Sequence, residues 1–268
     1  MFRIGLSSSV FPDSSPDEVI GRAKELGFDG IEWTGKVHLG SGDRERASAL
    51  LMSTLRAGLT IASCAPVEAY SAASEDTADI EKALETARSI NAPIVRLGFG
   101  RGCRAEGRQR VIFLDKLRRI GDLAGSFGIS LAFSPAAGTP LDSLAEALCL
   151  ADELSHPFVS LSWELLADKP DEETTTLIED DPGAFTLLRM GSGRVGAWKL
   201  GSGALDLEPE LWERILRAYS GKPGSSQVGC FALLGRDRID NEAGLQFLAE
   251  DLAFARQLWD LENAFTRR

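Results

Sequence analysis

Two residues of opposite charge, Glu164 and Lys199, each sit at the end of a short apolar run, in Ser160-Leu-Ser-Trp-Glu164 and Val195-Gly-Ala-Trp-Lys199. If those runs are adjacent strands, both side chains project into one mouth, and three chemistries are open to them. An ion pair would tie the strand ends together, although burying two charges costs desolvation and need not add stability. A lysine acting on a carbonyl, as Schiff-base nucleophile or electrophilic stabiliser with Glu164 as acid/base, needs a lowered ammonium pKa, and a nearby carboxylate pushes the other way. Plain hydrogen bonding to a ligand needs neither. Glu32, beside Trp33 in Gly30-Ile-Glu-Trp33, is a further carboxylate at a strand end. Arg96, in Pro93-Ile-Val-Arg-Leu97, requires a carboxylate wherever it is buried, and Glu32 or Glu68 are the nearest choices. Of the two histidines, His38 follows the second apolar run and has a route to the mouth. His156 precedes a strand at the opposite face, so no serine has a histidine placed to activate it.

These residues need a scaffold that brings many strand ends together. The chain alternates short apolar runs with helical patterns, as repeated βα units do. Expected strands are Arg3–Ser7, Gly30–Trp33, Leu59–Cys64, Pro93–Leu97, Ile129–Phe133, Phe158–Trp163, Val195–Leu200 and Val228–Leu233. Several are apolar without clean alternation, which suits parallel strands covered on both faces. Ser15-Pro-Asp-Glu18 reads as an N-cap, a proline at the first helical position and a capping-box glutamate, with Gly27 as the stop. Inward stripes follow at Ile80, Ala83, Leu84, Ala87 and Ile90; at Val111, Leu114, Leu117 and Leu123; and at Leu144, Leu148, Ala151 and Leu154 behind an Asp142 cap. Glu210–Ser220 and Asn241–Phe265 are the closing helices, and Ala167–Gly191 is the least regular unit, with room for one short helix. No G-x-G-x-x-G follows the first strand, which argues against a dinucleotide fold. Eight strands in eight units predict a single (β/α)8 TIM barrel over residues 1–268, with its functional groups at the C-terminal strand ends.

Composition narrows the function. The net charge of −11 argues against nucleic-acid or anionic-membrane partners, which need a basic footprint. Arg101, Arg104, Arg236 and Arg238 are the loop cations available to a phosphate or carboxylate, with solvated charges as the plain alternative. No apolar run approaches a membrane span, no secretory leader is legible, and a cytoplasmic location is expected. The four cysteines lie far apart without a C-x-x-C pair, so neither a zinc cage nor a disulfide framework is indicated.

Several segments carry a family resemblance in their order and spacing: Glu25-Leu-Gly-Phe-Asp-Gly-Ile-Glu-Trp33, Gly58-Leu-Thr-Ile-Ala-Ser63, Ala92-Pro-Ile-Val-Arg-Leu97, Gly128-Ile-Ser-Leu-Ala-Phe133 and His156-Pro-Phe-Val-Ser-Leu-Ser-Trp163. With these, nearly the whole chain resembles the xylose-isomerase-like sugar isomerase/epimerase superfamily, which also holds metal-dependent endonucleases and dehydratases. The piece Gly35–Asp43 is similar to a subgroup with a "DVH…GD" stretch after its second strand. The resemblance implies one divalent metal among a glutamate, an aspartate, a histidine and a glutamate on strands 5 to 8. At those places this sequence has Ser134, Glu164, Lys199 and Leu233, with Ala136 where a further histidine is usual.

The expectation is therefore a metal site lost, no cofactor, and Lys199 standing where the cation stood. By the same resemblance Glu32 faces a sugar-like ligand and Trp33 or Trp163 supplies an apolar wall, with mouth packing the alternative for both tryptophans. Arg96, Ser134 and His38 complete the expected ligand-binding set. Glu164 and Glu32 would move protons while Lys199 steadies an enediolate. Three functions stay open: a divergent sugar isomerase or epimerase, an inactive small-ligand-binding pseudoenzyme, and a Schiff-base lyase on Lys199. The helix faces leave a homodimer open.

Overall fold

The computed structural model describes residues 3–35, 37–66, 77–99, 108–134, 139, 141–164, 172–190, 210–211, 214–215, 217–218, 231–234, 238–239 and 241–266. The side chains of 108–109, 164, 186, 188–190, 231–232, 234 and 258–266 lie outside that description. The strands are β1 (Arg3–Ser7), β2 (Gly30–Thr34), β3 (Thr60–Ala65), β4 (Ile94–Gly98), β5 (Ser130–Ser134), β6 (Val159–Glu164), β7 (Phe185–Met190) and β8 (Phe231–Leu234). Each pairs in parallel with its chain neighbours, and β8 pairs back onto β1, so the α/β sheet closes into a barrel.

Around it run α1 (Pro16–Leu26), α2 (Arg44–Arg56), α3 (Ala78–Ser89), α4 (Arg108–Phe127), α5 (Leu144–Leu154), α6 (Glu172–Asp180) and α7 (Glu242–Thr266). Local chemistry sets their ends. Ser15 and Glu18 form the reciprocal capping box of α1, and Gly27 closes it in the left-handed region at φ 88°. The Asp43 side chain accepts the Arg46 N–H to start α2. Ser143, not Asp142, caps α5, because its hydroxyl accepts the Glu146 N–H. On α4 the buried stripe is Phe113, Leu114, Leu117, Ile120 and Ala124, while Val111 is 65% exposed and faces away from it.

The register corrects the expected strands at one place. The seventh strand is Phe185–Met190, laid between β6 and β8, and not Val195–Leu200. Residues 195–200, Lys199 included, lie outside the described residues. The cross-strand partner of Glu164 is Arg189, whose partner on the other side is Leu233.

Inside and outside are separated by the pleat. Ala62, Ile94, Ala132, Leu187 and Leu233 form a small apolar cluster of their own, at the interior positions of five strands. Ile4, Leu6, Ile31, Trp33, Cys64, Val95, Leu97, Phe133 and Trp163 belong to the larger core shared with the helices.

A buried carboxylate–guanidinium cluster at the strand ends

Glu32 lies on the interior face of β2 with its side chain 0% exposed. A carboxylate placed there must be matched on both oxygens, and it is. Arg96 of β4 closes on it as a two-point fork, Nε donating to Oε2 at 2.9 Å and Nη2 to Oε1 at 3.0 Å. Ser7 of β1 donates its hydroxyl to Oε1 at 3.0 Å, and Ser63 of β3 donates to Oε2 at 2.9 Å. The β2–β3 register makes the last contact. Ile31 pairs with Ile61, the ladder then slips by one, and Glu32 faces Ser63 in place of Ala62. Next to this cluster burial pushes the Cys64 thiol up, with the Glu32 charge adding to it and Arg96 opposing.

Each Glu32 oxygen accepts one hydroxyl and one guanidinium N–H, so the carboxylate holds Arg96 in place. Arg96, with its side chain 15% exposed, is the cation this anchor fixes.

The two tryptophans fall on the other face. Trp33 is fully buried, and its indole N–H donates to Thr54 of α2 at 3.2 Å. Trp163 is 2% exposed and part of the core between sheet and helices. Side chains alternate along a strand, so if Glu32 and Ser162 are interior, Trp33 and Trp163 are exterior. The expected apolar wall for a ligand is corrected to helix packing in both cases.

His38 is 1% exposed. Its Nε2 lies 2.9 Å from the Ser14 carbonyl oxygen, which can only accept, so Nε2 carries the proton and Nδ1 is left as a buried acceptor without a partner. The ring meets Trp33 edge-on at 5.6 Å between centroids. Burial lowers its pKa, against the raising effect of the Ser14 bond. His38 thus joins the loop after β2 to the loop after β1. Arg238, after β8, pairs with Asp13 in that same first loop.

Ser134 ends β5 and is 6% exposed, with an unpaired hydroxyl. Glu164 ends β6 with its Cα opposite Arg189, and its side chain lies outside the described part. Among the described residues no three His, Cys, Asp or Glu side chains converge. Sequence reading missed Ser63 and Ser162 as interior polar groups; Ser63 is brought to Glu32 by the register slip between β2 and β3, which no single strand shows.

Parallel strands closed in chain order, with a polar cluster at their C-terminal ends over an apolar interior, define a TIM-barrel protein whose site lies at the strand ends. The chain belongs to the xylose isomerase-like TIM-barrel family, whose profile matches residues 20–165. Among solved structures it is similar to the 3-keto-D-glucoside 4-epimerase of E. coli, at 18% identity and a TM-score of 0.72 over 96% of this chain and 100% of that one. A probable 3-DHS dehydratase involved in petrobactin synthesis in Bacillus anthracis superposes with a TM-score of 0.71 and 16% identity, over 94% of this chain and 98% of that one. An L-ribulose 3-epimerase gives 0.71 and 16%, over 100% and 97%. Such likenesses show the fold. No curated protein sequence matches the chain.

Proposed function

We propose that this protein is a divergent isomerase or epimerase of a small hydroxylated, sugar-like substrate, bound at the C-terminal ends of its strands without the divalent cation usual in the family. We read residues 1–268 as a single (β/α)8 domain, cytoplasmic, without nucleic-acid or membrane partners. Among the described residues no helix is long and apolar enough to cross a membrane. The epimerases among the structural neighbours support the substrate class.

One observation carries the metal-free reading, the chemistry of the strand-end positions. They are Ser134 on β5, Glu164 on β6, Arg189 opposite it on β7, and Leu233 opposite Arg189 on β8. A divalent cation needs several carboxylate oxygens or imidazoles. One carboxylate, one neutral hydroxyl, a guanidinium and a hydrocarbon do not fit it. By backbone register the residue opposite Glu164 is Arg189; Lys199, the cation expected there, lies outside the described residues.

Proton-transfer isomerisation through an enediolate asks for one base, which takes the proton from one carbon and returns it to the adjacent carbon, and for fixed positive charge near the developing oxyanion. Glu164 is the carboxylate left for the first task once Glu32 is committed to Arg96. Arg96, held rigid by Glu32, and Arg189, placed by the β6–β7 register, are the groups for the second. Lys199 remains a reactive amine to be tested.

The experiment is turnover on a panel of ketoses and ketosides by wild type and Glu164→Gln, with and without a chelator. Chelator-insensitive turnover that disappears in the Gln variant is the expected result. Chelator-sensitive turnover overturns the metal-free reading. Sugar binding without turnover by either protein supports the second reading, an inactive ligand-binding protein, which the presence of a single carboxylate among the four positions favours. A mass adduct on Lys199 after borohydride treatment with a bound ketose would instead identify a Schiff-base lyase. Light scattering measures the homodimer.

A further inference from the structure

Two hydroxyls in the barrel interior are buried without a hydrogen-bond partner among the described residues. Ser162 is fully buried and Ser134 is 6% exposed, and neither Oγ bonds to a described group. Buried polar atoms are nearly always paired, because desolvation without a bond in return is unfavourable. Other interior serines obey this: Ser7 and Ser63 donate to Glu32, and Ser160 donates to the Leu131 carbonyl.

The unpaired two are neighbours. Phe133 and Leu161 are register partners on β5 and β6, so the next residues along the two strands are Ser134 and Ser162. Ser134 lies opposite Gly98, two residues beyond Arg96 on β4, and Ser162 lies opposite Leu187 on β7. Each stands one pleat period beyond an interior position, Ala132 on β5 and Ser160 on β6. They do not bond to each other.

We infer that Ser134 and Ser162 form a ligand subsite, two neutral hydroxyls that hold one uncharged oxygen function of the ligand, a hydroxyl or a carbonyl, directly and without a bridging cation. The inference rests on the sugar-like ligand proposed above and names two of the residues that read it. A serine hydroxyl donates and accepts, which matches a sugar hydroxyl in either sense. The neighbouring Arg96 is paired with Glu32. The two serines themselves carry no charge, so this subsite takes an uncharged oxygen and leaves a developing oxyanion to the guanidinium groups.

The test compares wild type, Ser134→Ala, Ser162→Ala and the double variant in the presence of EDTA. Isothermal titration with D-fructose, D-tagatose, L-ribulose and D-gluconate is paired with thermal melting in the absence of any sugar. A neutral ketose is expected to bind wild type, and each alanine to weaken it by about two- to tenfold, the value of one neutral hydrogen bond. Without sugar the alanine variants are expected to melt at or above wild type, because they bury no orphaned hydroxyl. Ketose binding unchanged in both single variants overturns the subsite and leaves the sugar-ligand reading standing. Tighter binding of D-gluconate than of the ketoses overturns the uncharged class. If nothing binds wild type, the ligand reading fails and the subsite with it; alanine variants that melt below wild type overturn the subsite whatever binds, because they show a structural role for the hydroxyls.

Discussion

Replacing Arg96 by methionine is expected to expose how much the buried cluster depends on its charge match. The variant removes both guanidinium bonds to Glu32, at 2.9 and 3.0 Å, and leaves a carboxylate of 0% exposure with two hydroxyl donors. Two charge-assisted hydrogen bonds at about 1.5–3 kcal/mol each give about 3–6 kcal/mol. That agrees with the roughly 3–5 kcal/mol lost when one partner of a buried pair is removed. Little solvent reaches either group, so screening does not shrink the figure much. In Arg96→Met, loss of the guanidinium counter-charge from a buried carboxylate raises the Glu32 pKa in the folded state above the unfolded value of about 4.3. The folded state then holds more protons than the unfolded one, so stability falls as pH rises through that window and recovers as pH drops. Urea denaturation followed by tryptophan fluorescence, at about pH 5 and about pH 8, reads both effects. The double variant Glu32→Gln/Arg96→Met carries no orphaned charge and should recover to within about 1–2 kcal/mol of wild type. A single variant within about 1 kcal/mol of wild type at the higher pH, or strictly additive single and double effects, would refute the cluster as an energetic unit.

Further outcomes follow from other sites. Because burial lowers the His38 pKa, the unfolded chain takes up its proton first, and stability should fall as pH drops below about 6.5; His38→Gln should flatten that side of the melting-temperature profile. A Cβ on Gly35, the residue after β2, would overlap the Pro66 carbonyl oxygen and come within 2.5 Å of its carbon. Gly35→Ala should therefore lower stability by about 1–3 kcal/mol in denaturant titration, since backbone must shift to admit it. Of the two described free cysteines, Cys149 is exposed, while Cys64 is buried with its thiol pushed up; native-state alkylation read by mass spectrometry should modify Cys149 and spare Cys64 until denaturant is added.

Much of the barrel was readable before folding, and the reason is local. Six expected strands fall within a residue or so of β1 to β6, because each is an apolar run closed by a turn or helix cap such as Ser15-Pro-Asp-Glu18. The seventh was missed. Phe185–Met190 was absorbed into an irregular stretch, although the Asp181-Pro-Gly turn before it marked a new start, and Val195–Leu200 carries an equally apolar pattern. Apolar pattern alone does not say which of two adjacent runs enters a sheet; hydrogen bonding to β6 and β8 does.

The site divides along the same line. Sequence by itself determined which residue types are present, and so that Ser134 and Leu233 bring no carboxylate to their strand ends and that a buried Arg96 needed a carboxylate, Glu32 or Glu68. Only the tertiary structure decided that they meet, because residues 64 positions apart are joined by the β2–β3–β4 register and not by any local preference. A one-residue slip in that ladder sets Ser63 rather than Ala62 against Glu32, and the pleat sends Trp33 and Trp163 outward to the helices. Register and pleat are properties of paired strands, and a single strand read alone carries neither.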